Sequence, residues 1–430
     1  MPFNFLAGPP RRIAVIGGGI AGLAAAQLLA SGHTVVLFEA ENRLGGHART
    51  VMAGKRGDQP VDTGFIVFNR ITYPNLSQMF DRLGVPVAES NMSFGVSIGG
   101  GWLEYGLANL DALFARRSNA LSSHYVRMLL DILKFHRLAE RATQPQMTLS
   151  ELLARLGTSE WFRDYYITPF TGAIWSTPTL GILDFPAWPL VRFFRNHGLL
   201  GIRAQHQWYT VQGGSVEYVR RASADLTRQG VQIRLGAPVA GVRRSSRGVL
   251  IRARSGEWEL FDDVVLACHS DQTLELLSDA SPEEWKALSA IRYQPNEAVL
   301  HSDAGLMPRS RRAWSSWNYV EAEGKRPDRI ALTYWMNSLQ PIPKDDQMFV
   351  TLNPAKEIDP SRIMDQVTFQ HPVFDLGVLA AQDKLRAING HRATWFAGAW
   401  MRNGFHEDGF SSAVDVVTAM QARQRLPEVA

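Results

Sequence analysis

Six residues near the start of the chain carry the first chemical signal. Gly17-Gly18-Gly19-Ile20-Ala21-Gly22 fits the spacing G-x-G-x-x-G, after an apolar run at 12–16 and at the head of an Ala/Leu-rich run at 20–30. In a strand–turn–helix unit of this kind Gly17 permits a tight turn, Gly19 lets backbone approach a diphosphate, and Gly22 lets the helix lie close on its sheet. The helix start adds unpaired N–H groups and a partial positive charge, which favour phosphate. Glu39 stands seventeen residues beyond Gly22, at the end of a second apolar run at 34–38. A carboxylate there accepts hydrogen bonds from both hydroxyls of an adenosine ribose and repels a 2′-phosphate. Together these residues predict a dinucleotide lacking that phosphate, against the alternative of a glycine turn made for packing alone.

The residues that follow distinguish among dinucleotides. Arg43-Leu44-Gly45-Gly46-His47-Ala48-Arg49-Thr50 fits R-x-G-G-x-x-x-[ST] directly after Glu39-Ala40. It resembles the extended fingerprint of the flavin-containing amine oxidase and phytoene desaturase superfamily. Two adjacent glycines bring a second backbone segment against the diphosphate and ribitol, and Arg43 adds charge. The resemblance therefore implies FAD rather than NAD. It continues down the chain. Asp62-Thr63-Gly64-Phe65 is similar to the stretch that passes beside the isoalloxazine ring, and Val239, after Gly236-Ala237-Pro238, takes the place of a main-chain adenine contact. Phe396-Ala397-Gly398-Ala399-Trp400, followed by Glu407-Asp408-Gly409-Phe410, resembles the last FAD contact of the family. A helix start there would stabilise the negative charge that hydride transfer leaves on the ring. The cofactor residues implied are thus Gly17, Gly18, Gly19, Ile20, Ala21, Gly22, Glu39, Ala40, Arg43, Gly45, Gly46, His47, Gly64, Phe65, Val239, Gly398, Asp408, Gly409 and Phe410.

More narrowly, residues 62–69 (DTGFIVFN), 208–215 (WYTVQGGS), 334–340 (YWMNSLQ) and 404–409 (GFHEDG) resemble a bacterial subgroup of FAD/NAD-binding proteins associated with enzymes that modify unsaturated fatty acyl chains. The chemistry implied is hydride removal from carbon, by a desaturase or by a redox-neutral double-bond isomerase. Amine oxidases of the superfamily commonly place a lysine beside the flavin, but no lysine occurs between Lys286 and Lys325. The only cysteine, Cys268, lies far before the C-terminal position at which monoamine oxidases attach flavin, so the FAD is expected to be non-covalent. An oxygen-using amine or amino-acid oxidase is the alternative enzyme, and an FAD-containing accessory protein of a lipid-modifying system the alternative of another class. His406, Glu407 and Asp408 are the candidates for proton handling or flavin positioning, Asp408 having a helix cap as its equal alternative. Trp175 joins them as a catalytic candidate. With Phe170, Phe185, Trp188, Phe193 and Phe194 it is either tunnel lining for an extended apolar substrate or core. Tyr165, Tyr166 and Arg192 are head-group candidates. His269 reads as an exposed loop residue or a flavin neighbour. His301 and Asp303 lack a third ligand, so no metal site is assigned.

These residues need elements to hold them. The runs at 12–16, 20–30 and 34–38 make a βαβ unit. Residues 75–194 read as mostly helical, with apolar spacing at 122–138 and 149–156. A helix at 215–228 precedes short strands at 231–235, 239–243, 249–254, 257–260 and 264–267, read as a meander feeding back into the first sheet. Strands at 298–302, 330–335 and 349–352, a helix at 374–388, a strand at 393–396 and a last helix from about 409 to 423 complete the chain, with 1–10 a loose arm. The fold class is α/β: a Rossmann-type FAD-binding domain (1–74, 200–290 and 390–430) plus an α+β substrate domain with a helical cap (75–199 and 291–389), both discontinuous and amine oxidase-like.

Composition bounds the rest. A chain of 430 residues divides into two domains by size. A net charge of +4, from 45 Lys and Arg against 41 Asp and Glu, speaks against a nucleic-acid partner. A single cysteine excludes an intramolecular disulfide and suits a reducing compartment. The apolar stretch at 13–26 holds four glycines, unlike a secretory or membrane helix, and no run reaches the length needed to cross a bilayer. A cytoplasmic protein acting on a small-molecule or lipid substrate is expected. The pairs Arg116–Arg117 and Arg311–Arg312 would give at most a transient contact with an anionic membrane surface. All twelve tryptophans lie at or beyond Trp102, outside the opening unit.

Overall fold

The computed structural model describes residues 9–176, 181–200, 206–321 and 329–425. Most of the expected N-terminal arm lies outside them. Arg12–Ile16 and Thr34–Phe38 pair in parallel around the helix Ile20–Leu29. Both strands are apolar along their length because both faces of the sheet are covered, as a parallel sheet requires. The sheet has five strands in the order Gln232–Arg234, Thr34–Phe38, Arg12–Ile16, Asp263–Leu266, Thr394–Phe396, all parallel. Three of the five arrive from more than 190 residues beyond the first unit. In the helix Ile20–Leu29 the side chains of Ala24, Ala25 and Ala26 are fully buried, and their small size lets the last helix, His406–Arg425, pack against it.

A second sheet has seven strands in the order Ile363–Pro372, Tyr293–His301, Phe349–Leu352, Leu332–Trp335, Trp317–Glu321, Phe94–Ile98, Leu103–Gly106. Its pairs are antiparallel except Trp317–Glu321 with Phe94–Ile98. The helices Ser123–Ala142, Leu149–Leu156, Thr168–Trp175 and Ala187–Asn196 form the cap.

Four expectations are corrected. Val239–Ser245, Gly248–Ala253 and Trp258–Phe261 form a separate antiparallel sheet, and only the flanking strands at 232–234 and 263–266 join the parallel one. Their alternating exposure suits a sheet with one wet face and not a doubly covered one. Ile363–Pro372 is an edge strand that escaped the pattern because half of its ten residues are exposed. Phe94–Ile98 and Leu103–Gly106 interrupt the stretch read as helical. The last helix starts at His406 rather than Gly409, since the Asp408 carboxylate accepts the Phe405 N–H (2.9 Å) and so caps an earlier first turn.

One buried carboxylate ties together segments that are far apart in the chain. Asp62 closes the strand Gln59–Asp62 and is fully buried. It accepts hydrogen bonds from the Thr50 hydroxyl (2.6 Å), the Ser215 N–H and hydroxyl (2.8 and 2.7 Å) and the Gln340 amide (2.9 Å). Its own N–H donates to Gln340 Oε1. The partners come from the strand Thr50–Ala53 that follows the second glycine loop, the start of the helix Val216–Arg228 and the end of the helical turn Met336–Leu339. Burial pushes Asp62 up to about 6, against the pull of these donors. The folded protein therefore holds a proton that the unfolded chain releases between the ordinary 3.8 and about 6, so the contribution of Asp62 to stability is largest at low pH and falls as pH rises through about 6. Asp62→Asn is expected to remove that dependence. The stability advantage of wild type over the variant, measured by urea unfolding, should grow by about 2 kcal/mol from pH 7 to pH 4; a constant difference would sink this reading.

Candidate cofactor cradle and active site

The cradle is built from backbone. Gly17 sits at φ +106°, where a Cβ would lie 2.9 Å from the Ala267 carbonyl oxygen. A Cβ on Gly22 would fall on the carbonyl oxygen of Gly17. Neither position accepts a side chain, one for its dihedral and its neighbour, the other for its neighbour alone. A Cβ at Gly19, by contrast, would meet nothing within 4 Å, so the helix start faces open space there. The second loop closes on the first: the Gly45 N–H donates to the Gly18 carbonyl (2.9 Å), and a Cβ on Gly46 would stand 3.2 Å from Gly19 Cα. Arg43 braces that loop from behind, donating to the carbonyls of Gly46 and Ala48 and pairing with Glu41.

Glu39 does more than its position suggested. One oxygen accepts the Gly18 N–H (2.6 Å) and the other the Glu41 N–H (2.8 Å), so the carboxylate also pins the glycine turn. Ala40 is exposed beside it. Val239 follows the 236–238 turn, which is hydrogen-bonded to this strand end through Ala237 N–H to Glu39 O (2.9 Å).

The last helix brings a second N-terminus to the same place. A Cβ on Gly409 would lie 2.8 Å from Ile20 Cγ2 and 3.8 Å from the Ala21 nitrogen. The Gly398 N–H donates to Ser412 Oγ (2.8 Å), which donates in turn to the Gly409 carbonyl. Phe410 is buried in the same turn. Two helix starts with their partial positive charge, two glycine loops and open backbone fit a dinucleotide diphosphate by shape and electrostatics.

Past the second loop, the Phe65 N–H donates to the His47 carbonyl (2.9 Å), and Gly64 leaves no room for a Cβ against that same oxygen. Phe65 stacks on His406 with ring centres 3.9 Å apart, and Tyr218 shares a 2.6 Å hydrogen bond with His406 Nε2. The three polar candidates are thus brought together in one helical turn, each engaged by the protein. His406 holds Tyr218, Glu407 accepts from the N–H groups of Asn75 and Leu76 at the head of the helix Pro74–Leu83, and Asp408 accepts the Phe405 N–H. Burial pushes His406 down to about 3 and Asp408 up to about 7, and it raises Glu407. The helix-cap alternative for Asp408 is the geometry observed.

A group that sequence reasoning left unassembled faces this turn. His47 lies 5.0 Å from Phe369, 5.6 Å from His371 and 5.8 Å from His269, centre to centre. His269 is half-buried and stacked on Tyr293 at 4.5 Å, so its reading as an exposed loop residue is corrected. His47 Nε2 is buried without a hydrogen-bond partner. Asn353 is anchored to backbone by the Glu297 N–H and the Ile330 carbonyl, and it donates to Asn296 Oδ1 (2.7 Å). That orients the Asn296 amide to donate to His371 Nδ1 (2.9 Å), leaving His371 with its proton on Nε2. Only the arrival of the exposed strand at 363–372 brings these rings together, and no local sequence signal marks it.

Trp175 is buried, donates from its indole to the Asn403 carbonyl (3.1 Å), and packs on Phe185, Phe193 and Phe405 at 4.9, 4.8 and 6.0 Å. Phe194 is wholly core, while Trp188, expected as lining, is 44% exposed because it stands on the outer face of its helix. Tyr166 is buried in the cap and bonds His136, while the Tyr165 ring is half-buried against Trp102 and Trp161. Arg192 is exposed. His301 is buried and bonded to Thr351 and to the Asp303 N–H. Among the described residues no cluster of metal-ligating side chains occurs, and no helix is long and apolar enough to cross a membrane.

Comparison with known proteins agrees with this geometry. The profile of the family described as flavin-containing amine oxidoreductase matches residues 20–302. An FAD-dependent oxidoreductase of Emericella nidulans, dbaF, is 26% identical over 446 aligned positions, covering 92% of this chain and 88% of that one. In three dimensions the chain resembles a CLA-producing fatty acid isomerase from P. acnes, with a TM-score of 0.72 at 19% identity, over 96% of this chain and 99% of that one. It also resembles cyclohexylamine oxidase from Brevibacterium oxydans, with a TM-score of 0.71 at 16% identity, over 97% and 100%. At those identities the structural likeness establishes the shared fold. The profile spans most of the chain, and the chain accordingly belongs to the flavin-containing amine oxidoreductase family, as an FAD-dependent oxidoreductase.

Proposed function

We propose that the enzyme takes hydride from a C–H of an apolar substrate, an unsaturated or modified fatty acyl chain, as a desaturase or double-bond isomerase. The observation that supports this reading is the aromatic, apolar character of the side-chain cluster beside the last helix. Trp175, Phe185, Phe193 and Phe405 pack together there, Phe193 4.6 Å from Phe405, with His197 stacked on Phe193 at 3.8 Å. Burial pushes His197 and His371 down to about 4 and His406 to about 3, so all three are neutral near pH 7. Asp408, pushed up to about 7 by burial, is a carboxyl of the same turn poised to change charge near neutrality. An ammonium substrate would lose its hydration there with little to replace it, whereas a hydrocarbon chain loses none.

Residues 1–74, 200–290 and 390–430 form the cofactor half in this reading, and 75–199 and 291–389 the substrate half. The strands of the five-stranded sheet come from the first set and those of the seven-stranded sheet from the second, which supports the division. Bound FAD supplies the hydride acceptor. Gly17 to Gly22, Gly45, Gly46, Gly398, Gly409 and Phe410 admit and hold its diphosphate region, and Glu39 with Ala40 and Val239 its adenosine. Arg43 acts through the loop it braces. His47, Gly64, Phe65 and His406 border the ring region, and the aromatic chamber excludes water. Cys268, pushed up to about 11 by burial and bonded to Thr273, is unsuited to covalent attachment, so the FAD is held non-covalently.

Two outcomes are expected. Glu39→Gln should weaken FAD binding by about 10- to 100-fold, read by flavin fluorescence on dilution, while Glu41→Gln leaves it within about twofold. Equal effects would remove the assigned role of Glu39. In anaerobic mixing, unsaturated fatty acids or phospholipids should bleach the flavin absorbance or yield conjugated-diene absorbance without net oxidation. A panel of amines should do neither, and bleaching by amines alone would overturn the acyl-chain reading in favour of an amine oxidase.

A further inference from the structure

The cap helix Ser123–Ala142 is apolar on two faces, and only one of them is covered. Tyr125, Met128, Ile132, Phe135 and Ala139 point into the protein. On the opposite side Val126, Leu130 and Leu133 are 42%, 57% and 46% exposed, and Leu121, just before the helix, is 91% exposed. Positions 126, 130, 133 and 137 repeat at i, i+4, i+7 and i+11, so three apolar side chains and Arg137 form one row along the axis. Arg127, Lys134 and Arg141 repeat at seven-residue intervals and form a second row beside it. Asp131, the partner of Arg127, is buried beneath its side chain, and the one acid on the outer face, Glu140, is held by Arg195 of the helix Ala187–Asn196. That neighbouring helix presents Trp188, Arg192 and Arg195 outward at the same helical spacing.

The two arginine pairs that the sequence offered as an anionic-surface contact are engaged elsewhere. Arg117 and Arg312 converge on Asp111, Arg116 donates to the Gly101 carbonyl, and Arg311 lies over the Trp314 ring at 4.9 Å.

We propose that the outer face of the cap, Leu121 with the apolar and basic rows of the helix Ser123–Ala142, docks the enzyme on the surface of an anionic lipid bilayer. An apolar row flanked by a parallel row of cations matches the boundary between acyl chains and negatively charged head groups. A water-facing helix has no use for three aligned aliphatic side chains. The surface stands on its own geometry, whatever substrate the flavin site takes.

The test uses the flavin-loaded full chain in co-sedimentation with vesicles. It should bind phosphatidylcholine vesicles containing phosphatidylglycerol, bind phosphatidylcholine alone weakly, and lose binding with rising salt as the charges are screened; each cation removed by substitution should cost roughly fivefold. Leu130→Ser with Leu133→Ser, and separately Arg137→Glu with Arg141→Glu, should each lower vesicle binding at least about tenfold with flavin content and thermal midpoint unchanged. Wild-type partitioning by either variant overturns the proposal. So does a wild type that ignores vesicles but self-associates in sedimentation velocity and becomes monomeric in the leucine variant, which would make this face a protein interface. Vesicle binding together with bleaching by amines alone would keep the surface and remove only the acyl-chain reading.

Discussion

The close approach of two helix starts governs the rest of the molecule. The helix Ile20–Leu29 leaves the central strand through a turn in which Gly22 lies against the Gly17 carbonyl, and the helix His406–Arg425 comes to the same point with Gly409 against Ile20. Side chains at those positions would hold the backbones apart, and the partial positive ends would no longer converge. The sheet order follows from the same constraint. The strand before the last helix, Thr394–Phe396, must lie at the edge of the parallel sheet next to Asp263–Leu266 for its helix to return over the first one.

Burial, more than free ionisable groups, sets the chemistry of the site. Its carboxylates are all engaged in holding chain segments together: Asp62 binds Thr50, Ser215 and Gln340 together, Glu407 fastens the last helix to the helix Pro74–Leu83, and Asp408 caps its own helix. The histidines around them are kept neutral by the loss of water, and the tautomer of His371 is dictated through two asparagines from backbone groups. Neutral, buried side chains thus surround the turn where the two helix starts converge.

The cap obeys a different rule. Its inner face is ordinary aromatic core, but the helix Ser123–Ala142 carries more aliphatic residues than its packing needs, and the surplus lies in one row. The basic residues of the chain are spread through the sequence with little net excess, yet folding gathers several of them beside that row and ties others to Asp111.

Much of the first βαβ unit was legible from residue order because its signals are local. A glycine that cannot be replaced, a carboxylate at a strand end and an apolar run of five residues each report on a turn or strand made by their immediate neighbours, so Gly17 to Gly22, Glu39 and the first βαβ unit were readable without a fold. Local signals failed where an element is stabilised by distant partners. The strand Ile363–Pro372 is exposed along half its length and exists because Tyr293–His301 pairs with it. The start of the last helix was missed for another reason: the Asp408 carboxylate is a local cap, but it accepts the N–H three residues before it, so the helix begins one turn earlier than expected. The sequence by itself pointed to the family and the cofactor through its fingerprint residues, and to the glycine turn of the first βαβ unit through backbone requirements that only particular residues satisfy. Tertiary structure alone decided which histidines surround the site, that Asp62 binds Thr50, Ser215 and Gln340 together, and which apolar face of the cap is left to water, since each depends on contacts between residues far apart in the chain.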